Sequence, residues 1–147
     1  MYLHLKYLID CKEAGYTHEE KHTMWRNLYD MFHMIFPDKD FGFWDDRLAR
    51  ISFFMAIENG ISKQYDKAHE ELEQILSHIK SYKCFSEISH SSLLVNQLRI
   101  DQTNNEKSSE ETLSHAYLRY LNNNDTIFAP IKDDSRFVSI KKHLAEF

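Results

Sequence analysis

The scarcity of chain-breaking residues is the feature that most restricts what this sequence can fold into. Three Gly and two Pro stand among 147 residues, whereas a fold of many short strands needs such residues at its tight turns. Between them, apolar residues recur at helical spacing, as at Leu72, Ile75 and Ile79. The sequence therefore predicts an all-α protein. We expect a single domain over 1–147, because this length supplies one core.

Start and stop signals predict about seven helices. Apolar residues that begin directly after Met1 form the first helix, which is expected to end at Gly15. Thr17 and Glu20 form a capping box that opens the second helix, and Pro37 closes it. The third helix is expected to end near Asn59 and Gly60. The apolar stretches of the later helices cover 65–82, 91–98, 113–121 and 137–144.

Charge and cysteine content narrow the function classes. The net charge is -5, whereas a protein that binds nucleic acid is expected to carry a basic stripe, so the charge does not suggest such a surface. No apolar run approaches the roughly 18 residues needed to cross a membrane. Two cysteines without a C-x-x-C pair favour a reduced, cytoplasmic protein, and three scattered Gly exclude a Gly-rich phosphate loop. We expect no cofactor and no enzymatic activity.

One helix pair has the spacing of a tetratricopeptide unit. Tyr65 follows Ala56 by nine positions, and Ala68 and Leu72 come next. The small residues stand where two helices approach closely, and the aromatic residue stands near the turn. Such pairs keep an exposed apolar side and stack into a superhelix. The other pairs match less well, which predicts a short, irregular, right-handed α-solenoid of antiparallel helix pairs.

A family resemblance rests on four stretches of the sequence: MWRNLYDMF, FWDDRLARISFFMAIENGISKQYDKAHEELEQIL, SSLLVNQL and FAPIKDDSRFVSIKKHL. They resemble the tetratricopeptide-like C-terminal half of Xre-type helix-turn-helix regulators of low-GC Gram-positive bacteria, over most of 7–147. The last stretch is similar to the closing segment F-x-P-I-x-D-D-P-R-F of that family, with Ser135 in place of the second Pro. The resemblance implies a sensor or dimerisation module behind an N-terminal DNA-binding domain that this chain does not contain. We therefore expect the chain to be part of a longer protein.

Five residues are predicted to line a concave groove that binds a peptide or protein. In a tetratricopeptide pair the first helix lines the groove, and two Arg beside apolar residues suit a peptide carboxylate and its neighbour. An Asn side chain suits an extended peptide backbone. The predicted groove residues are Arg47, Arg50, Phe53, Ile57 and Asn96. In the alternative interpretation, the apolar residues pack on the second helix and the Arg side chains pair with neighbouring carboxylates.

A zinc-protease pattern, H-E-x-x-H, is formed by His18, Glu19 and His22. Two His one turn apart can bind zinc, and the glutamate can polarise a bound water. Against a metal site, both variable positions are charged, no third ligand stands out, and Glu20 serves the capping box. The pattern is interpreted as exposed histidines beside Trp25, and a zinc-dependent hydrolase stays open as the alternative.

The sequence as a whole predicts a non-enzymatic interaction domain that acts as a sensor or in dimerisation. We expect a peptide or protein partner and a homodimer, with no membrane or nucleic acid bound by this domain. A pure scaffold without a ligand is the second alternative. The remaining histidines, such as His69, His78 and His115, stand among charged positions, and they are interpreted as parts of solvated helix faces.

Overall fold

The structure is a computed structural model, and it describes residues 2–84 and 110–146. These residues form seven α-helices joined by turns and 3-10 segments, and no strand occurs among them. The helices are α1 (Tyr2–Ile9), α2 (His18–Ile35), α3 (Asp45–Ile61), α4 (Tyr65–Cys84), α5 (Glu110–Asn123), α6 (Asp125–Phe128) and α7 (Ser135–Glu146). The all-α prediction is confirmed for this part of the chain. The helix predicted at 91–98 lies outside the described residues, and the short α6 has no counterpart in the prediction.

The capping box predicted for α2 is present. The side-chain oxygen of Thr17 accepts a hydrogen bond from the backbone N–H of Glu20 at 3.2 Å. In return, Oε2 of Glu20 accepts the backbone N–H of Thr17 at 2.8 Å. Two N–H groups that lack partners inside the helix are therefore satisfied. The helix ends at Ile35, directly before Phe36 and Pro37, because the residue before a proline avoids helical geometry.

The first helix is shorter than predicted. α1 ends at Ile9, and a separate 3-10 segment at Lys12–Ala14 leads into Gly15. Gly15 adopts a left-handed conformation with a φ of 66°, which glycine adopts without steric cost. The glycine stop signal was therefore correct, but it closes the 3-10 segment and not the α-helix.

Gly60 has a packing role and does not stop α3, which continues to Ile61. A Cβ added at Gly60 would lie 2.6 Å from Cγ2 of Ile127 and 3.2 Å from Cε1 of Phe128. Real side chains do not approach that closely, so only glycine lets α6 lie against the end of α3. The prediction that this helix ends near Asn59 and Gly60 is confirmed to within one residue, and the packing role of Gly60 is an addition to it.

α3 lies between two apolar clusters and contributes to both. The N-terminal cluster joins it to α1 and α2, and the C-terminal cluster joins it to α4 through α7. The N-terminal cluster consists of Tyr2, Ile9, Trp25, Leu28, Tyr29, Phe32, Phe36, Phe41, Leu48, Ile51 and Met55. The C-terminal cluster consists of Ala49, Phe53, Ala56, Ala68, Leu72, Ile75, Ile79, Tyr117, Leu121, Phe128, Ile131, Phe137, Ile140 and Leu144. A helix buried on two sides is apolar on two sides, which explains the sequence ARISFFMAI.

α3 and α4 pack closely through small residues. Ala56 and Ala68 are completely buried, as is Leu72, and Tyr65 packs at the edge of the same cluster. Small side chains reduce the distance between helix axes, and the residues recognised by their spacing in the sequence lie in or against one apolar cluster. No helix within the described ranges has both the length and the apolar character needed to cross a membrane.

Candidate functional site

The two arginines of the predicted groove meet at one carboxylate. Nη1 of Arg47 donates to Oδ2 of Asp46 at 2.6 Å, and Nη2 of Arg50 lies 3.9 Å from Oδ1 of the same residue. The guanidinium of Arg47 also lies 5.6 Å from the centroid of the Tyr2 ring. The side chains of Arg47 and Arg50 remain 37% and 38% exposed. Part of each guanidinium therefore stays accessible to a partner.

The apolar groove residues are covered by the C-terminal helices. The ring centroid of Phe53 lies 6.1 Å from that of Tyr117 and 5.7 Å from that of Tyr120, both on α5. Only 7% of Phe53 is exposed, and Ile57 packs against the C-terminal cluster. Asn96 lies outside the described residues. Phe53 thus offers little surface to a peptide, and use of the groove stays a prediction.

The histidines of the H-E-x-x-H pattern contact different partners. Nδ1 of His18 lies 2.5 Å from Oε2 of Glu58. Nε2 of His22 accepts the side-chain N–H of Asn59 at 3.3 Å and lies 4.0 Å from Oε1 of Glu71. In the two described ranges, no group of three His, Cys, Asp or Glu side chains is arranged to hold a metal ion. The two histidines connect α2 to α3 and α4.

A line of polar side chains joins α2 to α4 beside α3, and we term it the polar seam. Its members recur at i, i+4 and i+7 on α2, at i and i+14 on α3, and at i and i+7 on α4, so each set lies on one helix face. The polar seam consists of His22, Arg26 and Tyr29 of α2, Asp45 and Asn59 of α3, and Glu71 and His78 of α4. It is the main polar feature buried between the helices.

One end of the polar seam is a buried chain of three groups. Nδ1 of His78 lies 2.8 Å from Oδ1 of Asp45, and Nε2 of His78 lies 2.8 Å from the hydroxyl of Tyr29. Because a carboxylate only accepts, we assign the proton to Nδ1, which leaves Nε2 to accept the tyrosine O–H. All three residues are buried. These two hydrogen bonds therefore give partners to buried polar groups from three helices.

The protonation of these groups argues against a reactive tyrosine. Burial, with the charge of Glu71 as a second cause, raises the pKa of Tyr29 to about 12. Burial also raises the pKa of Asp45, against the opposing hydrogen bond from His78. A general base needs its pKa near the working pH, so this phenol does not suit that role. The order Asp–His–Tyr resembles a catalytic relay, yet its phenol stays protonated.

The other end of the polar seam holds a buried carboxylate. Burial raises the pKa of Glu71 to about 7, although the Arg26 guanidinium, which donates to Oε1 of Glu71, acts in the opposite direction. Glu71 is only 4% exposed. Burial, followed by the charges of Arg26 and Lys67, lowers the pKa of His22. The interface of α2 with α4 therefore contains two groups whose protonation depends on the fold.

The sequence interpretation missed this interface. His69 and His78 are 3% and 7% exposed, so assigning them to solvated helix faces was wrong; His115 is exposed. A usable signal existed, since His78 stands directly before the buried Ile79 and seven residues after Glu71. That spacing repeats on α2 between His22 and Tyr29, which marks two matching polar stripes.

α1 exposes a large apolar face. Leu3, Tyr7 and Leu8 are 58%, 70% and 57% exposed, while Tyr2 and Ile9 on the other side of the helix are buried. The flanking charges of this face are Lys6 and Asp10, and they pair with each other at 2.6 Å. α1 is thus apolar on both sides, with its ionic groups already neutralised.

No protein-family model matches the chain, and no curated protein or solved structure matches it either. The resemblance to Xre-type regulators therefore rests on the sequence stretches quoted above.

Proposed function

We propose that this chain is a non-enzymatic interaction domain that pairs with a second copy of itself and serves as a sensor or dimerisation module. In this proposal its helices form a tetratricopeptide-like, right-handed α-solenoid of antiparallel pairs, as in the C-terminal half of Xre-type regulators. The burial of Ala56 of α3 and Ala68 of α4 in one apolar cluster supports that architecture. The second proposed partner is a peptide or protein held by Arg47 and Arg50.

The exposed apolar face of α1 carries the proposal of self-association. A helix that is apolar all round is normally covered on every side, and an exposed patch of large apolar side chains marks an interaction site. Leu3, Tyr7 and Leu8 together form such a patch. A standard interface buries about 800 Å² per partner, so these three side chains are its apolar centre and neighbouring polar groups form its rim.

A second copy fits this face better than a charged partner does. In a two-fold dimer the same patch meets itself, so an unpaired charge close to the two-fold axis would face its own copy. Lys6 pairs with Asp10, which directly follows α1, so the two flanking charges neutralise each other. The protein as a whole carries a net charge of -5, so two copies repel one another at long range. Moderate salt screens that repulsion, and self-association should strengthen accordingly.

The oligomeric state tests the proposal directly. We expect the wild type to sediment as a dimer at about 100 μM, and the double substitution Leu3→Ser with Leu8→Ser to sediment as a monomer with unchanged helix content. Met34→Ser is the matched control, because Met34 is 79% exposed on α2, and it should remain dimeric. A monomeric wild type, or a control that dissociates equally, would refute the role of α1.

Peptide binding and zinc binding are separated by two further measurements. Thermal shifts against a peptide library should reveal stabilisation that Arg50→Ala removes if the groove is used. No stabilisation, with a constant dimer, favours a pure scaffold. For the alternative hydrolase, zinc is measured in untagged protein. Stoichiometric zinc that is lost in His22→Ala would favour the hydrolase over the interaction domain.

A further inference from the structure

A cavity of about 340 Å³ opens beside the polar seam. It lies between the second half of α2, the loop that leads to α3, and the second half of α4. Its lining includes the buried residues Tyr29, Phe41 and His78, and exposed Lys39 and Ser81 stand at its rim. Its size falls within the range of small-molecule sites, which combine apolar walls with a few polar groups.

Four rings form one wall of the cavity. The centroid of His33 lies 4.9 Å from those of both Tyr29 and Phe41. The centroid of His78 lies 5.7 Å from that of Tyr29 and 6.1 Å from that of Phe41. The rings therefore close a cycle of tilted and edge-to-face contacts. A wall of this kind favours a flat aromatic group, which gains ring contacts in addition to burial.

Lys39 supplies a positive charge at the cavity rim. Its backbone is left-handed, with a φ of 60°, and its N–H donates to the carbonyl of Phe36 at 3.0 Å. Within residues 2–84 and 110–146, its ammonium group forms no ion pair. Burial lowers the pKa of His33, so that imidazole lines the cavity as a neutral ring. Among the described residues that line the cavity, the one carboxylate is that of Asp45, and it is hydrogen-bonded to His78. An anion on the ligand therefore finds its partner in Lys39.

Gln74, one turn before His78 on α4, supplies an acceptor in the cavity lining. Its side chain lines the cavity, and its carbonyl oxygen is buried without a hydrogen-bond partner among the described residues. A buried acceptor without a partner costs about 1–3 kcal/mol. Rotation about the last side-chain bond would present this oxygen to a donor in the cavity. A ligand that carries an O–H would supply the missing donor.

We propose that this cavity binds a small aromatic carboxylate whose ring carries a hydroxyl group. The ring lies against the four-ring wall, the carboxylate pairs with Lys39, and the hydroxyl donates to the carbonyl of Gln74. The cavity is separate from α1, so ligand binding there does not require self-association, and the two proposals are tested separately. Ligand bound here contacts α2, α3 and α4 together, which makes the cavity the sensing site of the domain.

The experiment compares three probes by calorimetry and by chemical shifts of backbone amides. 4-Hydroxybenzoate carries both groups, benzoate lacks the hydroxyl, and 4-hydroxybenzyl alcohol lacks the carboxylate. We expect saturable binding of 4-hydroxybenzoate, with shifts centred on Tyr29, Phe41 and His78. Its Kd should be about fivefold lower than that of either other probe, since each loses one polar contact.

Two substitutions assign the contacts. Lys39→Met should raise the Kd of 4-hydroxybenzoate about fivefold and leave that of 4-hydroxybenzyl alcohol unchanged. Gln74→Leu should raise the Kd of 4-hydroxybenzoate and leave that of benzoate unchanged. Lys63→Met is the matched control, because Lys63 also has a left-handed backbone, with a φ of 58°, in a different loop. It should bind all probes as the wild type does.

Three results would overturn the proposal. The first is the absence of saturable binding to the wild type. The second is an equal effect of Lys39→Met and Lys63→Met, and the third is a set of shifts centred away from the cavity. Lys39 is exposed, so its substitution tests the site even if Gln74→Leu fails to fold.

Discussion

Glu71 should make the protein less stable as the pH rises from weakly acidic to weakly basic. Its pKa is raised from an ordinary 4.5 to about 7 in the folded state. Between these two values the folded chain retains the proton while the unfolded chain releases it. Stability therefore falls as pH increases through this window, and the full loss is present above the folded pKa. At about 1.4 kcal/mol for each pH unit, the loss amounts to about 3 kcal/mol.

Glu71→Gln isolates this effect, because glutamine has the shape of the protonated acid and cannot ionise. Urea unfolding is followed by tryptophan fluorescence at pH 5, 6, 7 and 8. The difference in unfolding free energy between the variant and the wild type should grow by about 2–3 kcal/mol from pH 5 to pH 8, in favour of the variant. Both proteins retain His22, so its own titration largely cancels in the difference.

Glu73→Gln is the matched control on the same helix. Glu73 is 48% exposed and accepts hydrogen bonds from Arg136 at 3.1 Å. Its loss removes an exposed ion pair, and the resulting difference from the wild type should stay within about 1 kcal/mol across the pH range. Parallel pH curves for the wild type and Glu71→Gln would refute the reasoning, since they would show that Arg26 fully compensates for burial.

Two further predictions concern packing and capping. Gly60→Ala should lower the unfolding free energy by about 1–3 kcal/mol, because the added Cβ would clash with Ile127. This loss should be smaller when the substitution is made in an Ile127→Ala background. An equal loss in both backgrounds would contradict the clash. Thr17→Ala should lower the unfolding free energy, measured in urea, by about 1 kcal/mol, because the capping box with Glu20 is lost. The control Thr23→Ala, on the exposed face of α2, should change stability little. Equal losses for the two variants would show that capping is not the cause.

Local signals in the sequence predicted most of the helices well. The capping box at Thr17, the proline after Phe36 and the apolar spacing of Phe137, Ile140 and Leu144 all correspond to observed helix ends or buried positions. These signals act within one or two turns of the same helix. They do not depend on which other helix lies nearby.

The polar seam and the cavity were beyond prediction because they depend on contacts between helices. His78 is separated by 33 residues from Asp45 and by 49 from Tyr29, and its seven-residue spacing from Glu71 does not show which helix lies against it. The packing role of Gly60 was missed for the same reason, since its neighbour in space is Ile127. A glycine near a helix end can stop the helix or allow another helix to pack closely, and only the tertiary contacts show which role it has.

The position of α3 in both apolar clusters has a consequence for the cooperativity of unfolding. Removing α3 from the N-terminal cluster would expose Leu48, Ile51 and Met55, and removing it from the C-terminal cluster would expose Phe53. Neither half retains a complete core without this helix, so neither is expected to persist once the other has melted. The chain should therefore unfold in one concerted transition, with the same midpoint for probes in either half.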